Sequence, residues 1–332
     1  MNPTMDWYAA PYVVFDILLY VFVSPLVLGS LRWVRARLQG RRGPWPLQPY
    51  LDLWKLIRRR TLFPASASFV YKAAPGTVFV CMVLAGLLLP INFLPPLNPA
   101  DQPMHPWPIA DLVVLIYLLG MARFAIGLAG MDSGSPFGEL GSSREMFIHF
   151  LAEPALILVA FALALRWGST SLVQVLLACR KEGLELYLQA SLWLILIALW
   201  LAAIAETGRI PIDNPATHLE LTMTGRAVWL EYAGRHLGLL EWAEAMRLTF
   251  FLTLLINLTL PGLLVVAEGV NELKVFMILL YPLKLMVLVL GLALWELARA
   301  KLRLRAVAAP ASMAMLFACL AIVISIFEKM VQ

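Results

Sequence analysis

Long apolar runs dominate this chain, and short polar segments separate them. A helix needs about 20 mostly apolar residues to cross a membrane. Eight stretches approach that length, at about 11–31, 73–94, 109–130, 144–165, 187–205, 248–268, 273–297 and 307–327. The pattern therefore predicts an all-α polytopic membrane protein, with about eight transmembrane helices in a single membrane domain that covers residues 1–332.

The polar segment after the first run has an amphipathic pattern of its own. A proline-rich connector, GRRGPWPLQP, leads into LQPYLDLWKLIRRR. Helical spacing places five apolar or aromatic residues on one face and the basic residues elsewhere: Leu47, Tyr50, Leu51, Trp54 and Ile57. This pattern is typical of a helix at the membrane boundary. Two interpretations stay open, a plain topology anchor and a docking surface for a soluble partner.

Composition agrees with the hydropathy pattern. Of 332 residues, 61% are hydrophobic and 14% are charged, whereas a soluble domain carries about 25% charged residues. Three cysteines lie far apart without a C-x-x-C pair, so we expect no iron–sulfur cluster and no metal site in this chain. The N-terminus lacks a basic region before its apolar run, which predicts a retained span rather than a signal peptide.

The distribution of Lys and Arg predicts the orientation. Nine basic residues follow the first span, four follow the seventh, and none lies between the second and third. Because basic loops stay on the cytoplasmic side, both termini should lie on the non-cytoplasmic side. The predicted cytoplasmic loops are 32–72, 131–143, 206–247 and 298–306. The net charge of +5 is therefore interpreted as topology, and no nucleic-acid partner is expected.

Ionisable residues within spans are costly and suggest function. The fourth span, GSSREMFIHFLAEPA, carries Glu145, His149 and Glu153 at i, i+4 and i+8. Each step rises about 6 Å, so the three could relay protons along one broad face. In the alternative, Glu145 caps the helix in a Ser142-x-x-Glu145 capping box, His149 is interfacial, and a basic neighbour neutralises Glu153.

Other charged residues lie within or beside spans. Asp16, Arg123 and Lys284 are candidates for burial, and the acids could supply counter-charges for the two bases. Asp132 follows the third span in a Gly/Ser-rich stretch, AGMDSGSPFGELG. It is equally consistent with a turn or cap residue and with a proton path.

The stretch ETGRIPIDNPATHLE, residues 206–220 and here named the acidic segment, follows the fifth span. Glu206 and Arg209 can interact if the helix continues for one turn, although two prolines prevent a regular helix beyond it. Four acids lead from the membrane toward the surface: Glu206, Asp213, Glu220 and Glu231. Because they alternate with apolar sequence, we expect a folded loop covered by another protein.

The acidic segment also carries a resemblance. AETGRIPIDNPATHLELTM resembles the signature of the membrane subunit 1 family of respiratory complex I, and its wording is closer to the hydrogenase branch of that family. That branch includes formate hydrogenlyase subunit 4 and hydrogenase-4 component C. RRGPWPLQPYLDLWKLIRR, RFAIGLAGMDSGSPFGELGSSREM and ELARAKLRLRAV resemble it too.

The resemblance implies a role. The chain would anchor an energy-converting, group 4 [NiFe] hydrogenase in the cytoplasmic (inner) membrane of a prokaryote. It would contact the hydrogenase small and large subunits, antiporter-like membrane subunits and membrane lipid. The [NiFe] centre and the iron–sulfur clusters would lie in partner subunits. The expected proton path comprises Glu153, His149, Glu145, Glu206, Asp213, Glu220, Glu231, Asp132 and Lys284. The expected docking residues are Arg209, Arg226, Tyr232, Arg41, Arg42 and Trp45.

One departure and three alternatives accompany this expectation. Hydrogenase relatives usually have His-Glu where this chain has Gly225 and Arg226, so a base replaces an acid. A quinone-site subunit 1 of a complex I-type NADH:quinone oxidoreductase is the main alternative, but that branch has acids where Ala216 and His218 stand. A free-standing transporter would show internal repeats, and a passive anchor would have no proton role.

Overall fold

The helices of the fold follow the apolar runs. The computed structural model describes residues 10–64, 67–94, 111–183, 185–213, 224–266, 280–300, 302 and 308–331. The α-helices are α1 Ala10–Leu38, α2 Gln48–Ile57, α3 Phe69–Leu88, α4 Leu112–Asp132, α5 Pro136–Trp167, α6 Leu172–Glu182, α7 Ala190–Glu206, α8 Gly225–Val228, α9 Gly234–Thr259, α10 Tyr281–Ala298 and α11 Ala308–Val331. Short 3-10 turns occupy Glu185–Leu188 and Pro261–Leu263, and β1 (Phe93–Leu94) pairs in parallel with β2 (Val265–Val266).

The all-α polytopic prediction is confirmed. Within the described ranges, α1, α3, α4, α5, α10 and α11 are long and apolar enough to cross a membrane, and α7 is a shorter apolar helix. The predicted sixth span overlaps the second half of α9. Parts of the predicted sixth and seventh spans, from residue 267 to 279, lie outside the described residues. The orientation of the termini stays a prediction.

Helix α9 lies at the centre of the molecule. Every residue from Ala245 to Leu258 is buried, because α1, α3, α7 and α10 all pack against it. Its buried polar side chains find partners: Thr253 Oγ1 hydrogen-bonds the Tyr281 hydroxyl at 2.8 Å, and Asn257 Nδ2 donates to the Pro90 carbonyl at 2.6 Å. A buried polar group without such a partner would cost free energy, so these contacts fix how α9 sits among its neighbours.

Helix α11 packs on α5 and α7, and a set of ion pairs fastens its end. Arg166 Nη1 lies 2.9 Å from Glu328 Oε2, while Nη2 lies 3.3 Å from Glu182 Oε2. The Ser191 hydroxyl also donates to Glu328 at 2.5 Å. The C-terminal helix is thereby joined to α5, α6 and α7 at one end of the bundle.

Helix α5 begins earlier than the sequence predicts. Ser135 is its N-cap and Pro136 its first residue, so the predicted capping box at Ser142 is wrong. Proline at the first helical position has a preset φ that favours initiation. Glycines then allow α4 and α5 to approach closely, since a Cβ added to Gly138 would lie 2.7 Å from the Gly130 carbonyl oxygen.

Helix α2 leaves an apolar face uncovered. Leu51, Trp54 and Ile57 are exposed, whereas Leu53 is buried on the opposite side, where α2 packs against α1 and α9. The Arg58 guanidinium lies 4.2 Å from the centre of the Trp54 ring. This arrangement suits the predicted position at the membrane boundary, which stays a prediction.

Candidate functional site

Four buried ionisable side chains from three helices meet in the interior. Arg123 of α4 donates from Nη1 to Glu145 Oε1 at 3.0 Å, and its Nη2 lies 3.3 Å from Glu206 Oε2. The His149 ring lies between the two acids, with Nε2 3.5 Å from Glu145 Oε1 and Nδ1 3.5 Å from Glu206 Oε1. We name Arg123, Glu145, His149 and Glu206 the charge cluster.

One bound proton would neutralise the formal charge of the charge cluster. One arginine and two carboxylates give +1 − 2 = −1 while the imidazole is neutral, and zero once it is protonated. All four residues are less than 10% exposed, and uncompensated charge is expensive there. Both His149 contacts exceed the usual hydrogen-bond length of about 2.7–3.2 Å, yet a protonated imidazole could donate to both carboxylates. The cluster is therefore suited to hold one exchangeable proton.

A neighbouring ion pair adds no net charge. Arg247 of α9 lies 3.1 Å from Glu244 and is close enough to act electrostatically on Glu145 and Glu206. Because the pair is neutral, it does not change the count of protons that the charge cluster requires.

Glu206 reaches the charge cluster because α7 is short. Its 17 residues span about 26 Å, less than the roughly 30 Å hydrocarbon core. The helix ends at Glu206, and Gly208 with φ +55° turns the chain. The helix therefore lacks the additional turn on which a Glu206–Arg209 pair depended. Arg209 and Asp213 remain buried although the chain is no longer helical there.

A second buried hub, which the sequence analysis missed, holds the start of the acidic segment. Glu296 of α10 is fully buried and accepts Arg35 Nη1 at 3.1 Å, while Arg209 Nη1 lies 3.6 Å away. The Leu302 amide also donates to the Pro211 carbonyl at 2.8 Å. The sequence did contain a signal for Glu296, because this acid stands near the end of an apolar run, at the start of ELARAKLRLRAV.

Two cavities flank the charge cluster. The first, named the basic cavity, has a volume of about 580 Å³ and includes Arg41, Arg42, Asp213 and Arg226 in its lining. The second, named the lateral cavity, has a volume of about 430 Å³ and lies between α4 and α5.

The charge cluster forms a wall that the two cavities share. Arg123 and His149 line both of them, and Glu206 lines the lateral one. Glu145 lines the basic cavity and Glu153 lines the lateral one. Water in either cavity could therefore exchange protons with the same buried group.

Glu153 stands apart from the charge cluster on the same helix. Its carboxylate is half-buried and faces Gly120, where an added Cβ would lie 3.3 Å from Oε1. Across the ranges that the structure covers, no basic side chain forms an ion pair with it, so the neutralised-Glu153 alternative finds no support there. The sequence predicts a linear order of Glu145, His149 and Glu153. In the structure, His149 contacts Glu145 and Glu206 instead.

The remaining acids of the expected proton path lie elsewhere. Asp132 accepts from the Ser68 amide at 2.9 Å, the Ser68 hydroxyl at 2.6 Å and the Tyr71 amide at 3.2 Å, which gives it a capping role at α3. Asp213 accepts from the Gly225 amide at 3.3 Å. Glu231 is exposed.

Two further members of that path do not join the charge cluster. Lys284 is half-buried on α10 and lines neither cavity described above. Glu220 lies outside the described residues.

The expected docking residues fall around the mouth of the basic cavity or near it. Arg226 pairs with Glu241 at 3.1 Å, and its guanidinium lies 5.1 Å from the centre of the Trp229 ring. Trp45 is 65% exposed. Gly225 leaves room beside Glu145, since an added Cβ would lie 3.4 Å from Oε2.

Tyr232, the last expected docking residue, is buried rather than presented at the surface. Its ring stacks on Tyr71 with centroids 4.1 Å apart, and its hydroxyl donates to the Tyr71 carbonyl at 2.7 Å. Burial, aided by Tyr71, raises the pKa of Tyr232 well above its usual value. Tyr232 therefore supports the loop that presents Arg226 and is not a proton donor near neutral pH.

The described residues offer no group of three or more His, Cys, Asp or Glu side chains placed to hold a metal ion. The cysteines are free and lie on three different helices, Cys81 on α3, Cys179 on α6 and Cys319 on α11. The charge cluster presents carboxylates, an imidazole and a guanidinium group, which suit proton exchange and anion contact.

Residues 11–327 match the family described as NADH dehydrogenase. The chain belongs to the NADH dehydrogenase family. Among curated relatives, this family member is 31% identical to hydrogenase-4 component C of Escherichia coli (strain K12), over 77% of each chain. It is also 31% identical to formate hydrogenlyase subunit 4 of that organism, over 88% of this chain and 91% of the relative.

More distant members of the NADH dehydrogenase family complete the comparison. NADH-ubiquinone oxidoreductase chain 1 of Triticum aestivum is 26% identical, over 60% of this chain and 62% of the relative. A chain in the structure of the membrane-bound sulfane sulfur reductase, an archaeal respiratory membrane complex, superposes with a TM-score of 0.75. It is 22% identical and the match covers 94% of this chain and 98% of that one, which shows a shared fold. The resemblance to the complex I subunit 1 family and its hydrogenase branch is thereby confirmed.

Proposed function

We propose that this chain is the membrane-anchoring subunit of an energy-converting, group 4 [NiFe]-type hydrogenase complex. It docks a soluble redox module and links electron transfer in that module to ion translocation, in the cytoplasmic membrane of a prokaryote. The observation that carries the proposal is the position of the charge cluster between two cavities, since Arg123 and His149 line both while Glu145 lines one and Glu206 the other. The two Escherichia coli relatives support the hydrogenase assignment over the quinone one.

Protons would pass through the charge cluster in steps. Glu145 takes a proton from water in the basic cavity and passes it to His149, since its Oε1 lies 3.5 Å from Nε2. The imidazole releases a proton from Nδ1 toward Glu206 Oε1, also 3.5 Å away. Glu206 then delivers it to the lateral cavity, where Glu153 is the next carboxylate. Arg123 stabilises both carboxylates but transfers no proton, because its guanidinium stays charged.

Electrostatic interaction would couple electron transfer in the partner to protonation of the charge cluster. With a neutral imidazole the charge cluster carries −1, so a change in charge on a docked partner would alter the free energy of protonation there. A low effective dielectric strengthens such an interaction. The route from partner to cluster would run through the basic cavity, whose wall includes Asp213, Arg226 and Glu145.

The docking face would be the end of the bundle that carries this cavity. Arg41, Arg42 and Trp45 are exposed there, and Arg209 is held beside it by Glu296. Hydrogenase small and large subunits would cover this end, and antiporter-like membrane subunits would receive ions beyond the lateral cavity. The [NiFe] centre and iron–sulfur clusters would belong to those partners, as the family resemblance implies.

Partner identity is the first test. Purification of the chain from its native membrane, followed by mass spectrometry of the intact complex, should return a hydrogenase large subunit with four metal-binding cysteines. A quinone-reducing set of partners would instead establish the alternative, the quinone-site subunit of a complex I-type NADH:quinone oxidoreductase.

A second test addresses the ion path. Glu153→Gln should abolish ion translocation by the reconstituted complex while its subunits still assemble, because the amide cannot carry a proton. Glu139→Gln is the matched control, since Glu139 is an exposed acid on the same helix and lines neither cavity. Undiminished ion movement in Glu153→Gln would leave the passive-anchor interpretation standing.

A further inference from the structure

The basic cavity has more positive than negative charge in its lining. Four acids line it, Glu145, Asp213, Glu241 and Glu244. Seven arginines line it, Arg32, Arg35, Arg41, Arg42, Arg123, Arg209 and Arg226. The sum of formal charges is 7 − 4 = +3.

Four of the arginines already have carboxylate partners. Arg35 and Arg209 share Glu296, which lies behind the cavity wall. Arg226 holds Glu241 at 3.1 Å, and Arg123 belongs to the charge cluster. Each of these guanidinium groups therefore contacts a carboxylate within the chain, although Arg35 and Arg209 share one.

Three arginines at one side of the cavity have no such partner. Arg32 near the end of α1 and Arg41 and Arg42 just beyond it form no ion pair within the ranges described above. Arg32 is half-buried, whereas the other two are exposed. All three line the basic cavity, from the last turns of α1 and the segment that follows it.

Charged neighbours make the position of the Arg32 guanidinium unfavourable, and a bound anion would lower that cost. Among its charged neighbours, Arg226 and Arg209 repel it, and Glu241 and Asp52 attract it. Glu241 is already engaged by Arg226. A half-buried cation next to like charges is costly, and an anion that enters from the cavity would offset this cost.

We propose that Arg32, Arg41 and Arg42 bind a phosphate group at the mouth of the basic cavity. Guanidinium forks match phosphate oxygens with paired hydrogen bonds. A cavity of about 580 Å³ lies within the usual range for ligand sites, about 300–1,000 Å³. The phosphate comes from an anionic phospholipid headgroup or from a soluble phosphate compound.

The lipid source is the expected one because of what lies beside the mouth. Trp45 and the apolar side of α2, with Leu51 and Trp54, are exposed close to Arg42 in the chain. Apolar surface next to guanidinium groups suits a molecule with acyl chains and a phosphate. The site does not depend on proton transfer, since none of the three arginines belongs to the charge cluster.

The test is native mass spectrometry of the detergent-solubilised full chain. The chain is titrated separately with phosphatidylglycerol, with phosphatidylcholine and with inorganic phosphate. Arg32→Gln and the double variant Arg41→Gln/Arg42→Gln should each bind phosphatidylglycerol about tenfold more weakly than wild type, which corresponds to about 1.4 kcal/mol. Arg299→Gln is the matched control, an exposed arginine outside the cavity that stacks on Trp295. Thermal unfolding of each variant checks that it remains folded.

The outcomes separate the two sources. Selective, Arg32-dependent binding of phosphatidylglycerol over phosphatidylcholine supports the lipid, and Arg32-dependent binding of inorganic phosphate alone supports a soluble compound. If both variants bind every probe as the wild type and Arg299→Gln do, the proposal is wrong.

Discussion

Replacing Glu296 with Gln tests how strongly the buried hub holds the acidic segment. The Glu296 carboxylate is fully buried, with Arg35 at 3.1 Å and Arg209 at 3.6 Å. The amide keeps the shape but removes the charge, so Arg209, whose side chain is only 5% exposed, loses its counter-charge. Breaking a buried pair in this way costs about 3–5 kcal/mol. Arg35 is 22% exposed and is partly rehydrated, which favours the lower value, about 3 kcal/mol.

Glu241→Gln is the matched control. Glu241 contacts Arg226 at 3.1 Å, the same distance as the Glu296–Arg35 contact, but both partners are about a quarter exposed. A pair in that environment contributes about 0–1 kcal/mol. The two carboxylates differ in burial and in the number of arginines that they contact, which is two for Glu296 and one for Glu241.

The assay is thermal unfolding of the purified chain, followed by tryptophan fluorescence. Glu296→Gln should lower Tm by roughly 5–10 °C, since about 3 kcal/mol in a chain of this size corresponds to a shift of that order. Glu241→Gln should change Tm by no more than roughly 3 °C. Equal, small shifts for both variants would refute the inference that burial makes Glu296 a structural hub.

Three further predictions concern the cap of α3, the thiols and the topology. Asp132→Asn should destabilise the chain by about 1 kcal/mol, as loss of a helix cap does, and a denaturant titration that finds no change would contradict the capping role. Burial, with Glu182 adding to it, raises the pKa of the Cys179 thiol; because the thiolate is the reactive form, alkylation at pH 8 should be slow until detergent unfolds the chain, and rapid labelling of the folded chain would count against this. A reporter enzyme that works only outside the cytoplasm should be active when it is fused to the C-terminus, and one that works only inside the cytoplasm should be inactive. The opposite result would overturn the positive-inside assignment.

The positions of the helices could be predicted from the sequence because membrane spans depend on local hydropathy. The apolar runs coincide with α1, α3, α4, α5, α7, α9, α10 and α11. Their limits were less accurate. The Gly/Ser-rich stretch after α4 was interpreted as a turn with a cap at Ser142, whereas Pro136 starts α5 and close helix packing continues it through Gly138.

The charge cluster could be predicted only in part. Helical spacing placed Glu145 and His149 on one face, and the cost of a buried charge pointed to Arg123. Neither fact reveals that Glu206 meets them, because that contact depends on where α7 stops within the bundle and how α5 is rotated toward it. Glu296 was missed for the same reason, since its partners Arg35 and Arg209 come from distant parts of the chain.

The central claim is that the charge cluster passes protons between the two cavities, and His149→Gln tests it most directly. Glutamine can hydrogen-bond to Glu145 and Glu206 but cannot carry the extra proton. The measurement is proton movement by the complex in proteoliposomes with a pH-sensitive dye, alongside its redox activity with an artificial electron acceptor. The control is His236→Gln, since His236 contacts the Phe63 ring and lines neither cavity.

Proton movement should fall about 100-fold in His149→Gln, as expected for loss of a positioned acid–base group. Redox activity with the artificial acceptor should persist, and His236→Gln should retain both activities. Proton movement in His149→Gln equal to that of wild type would contradict the account.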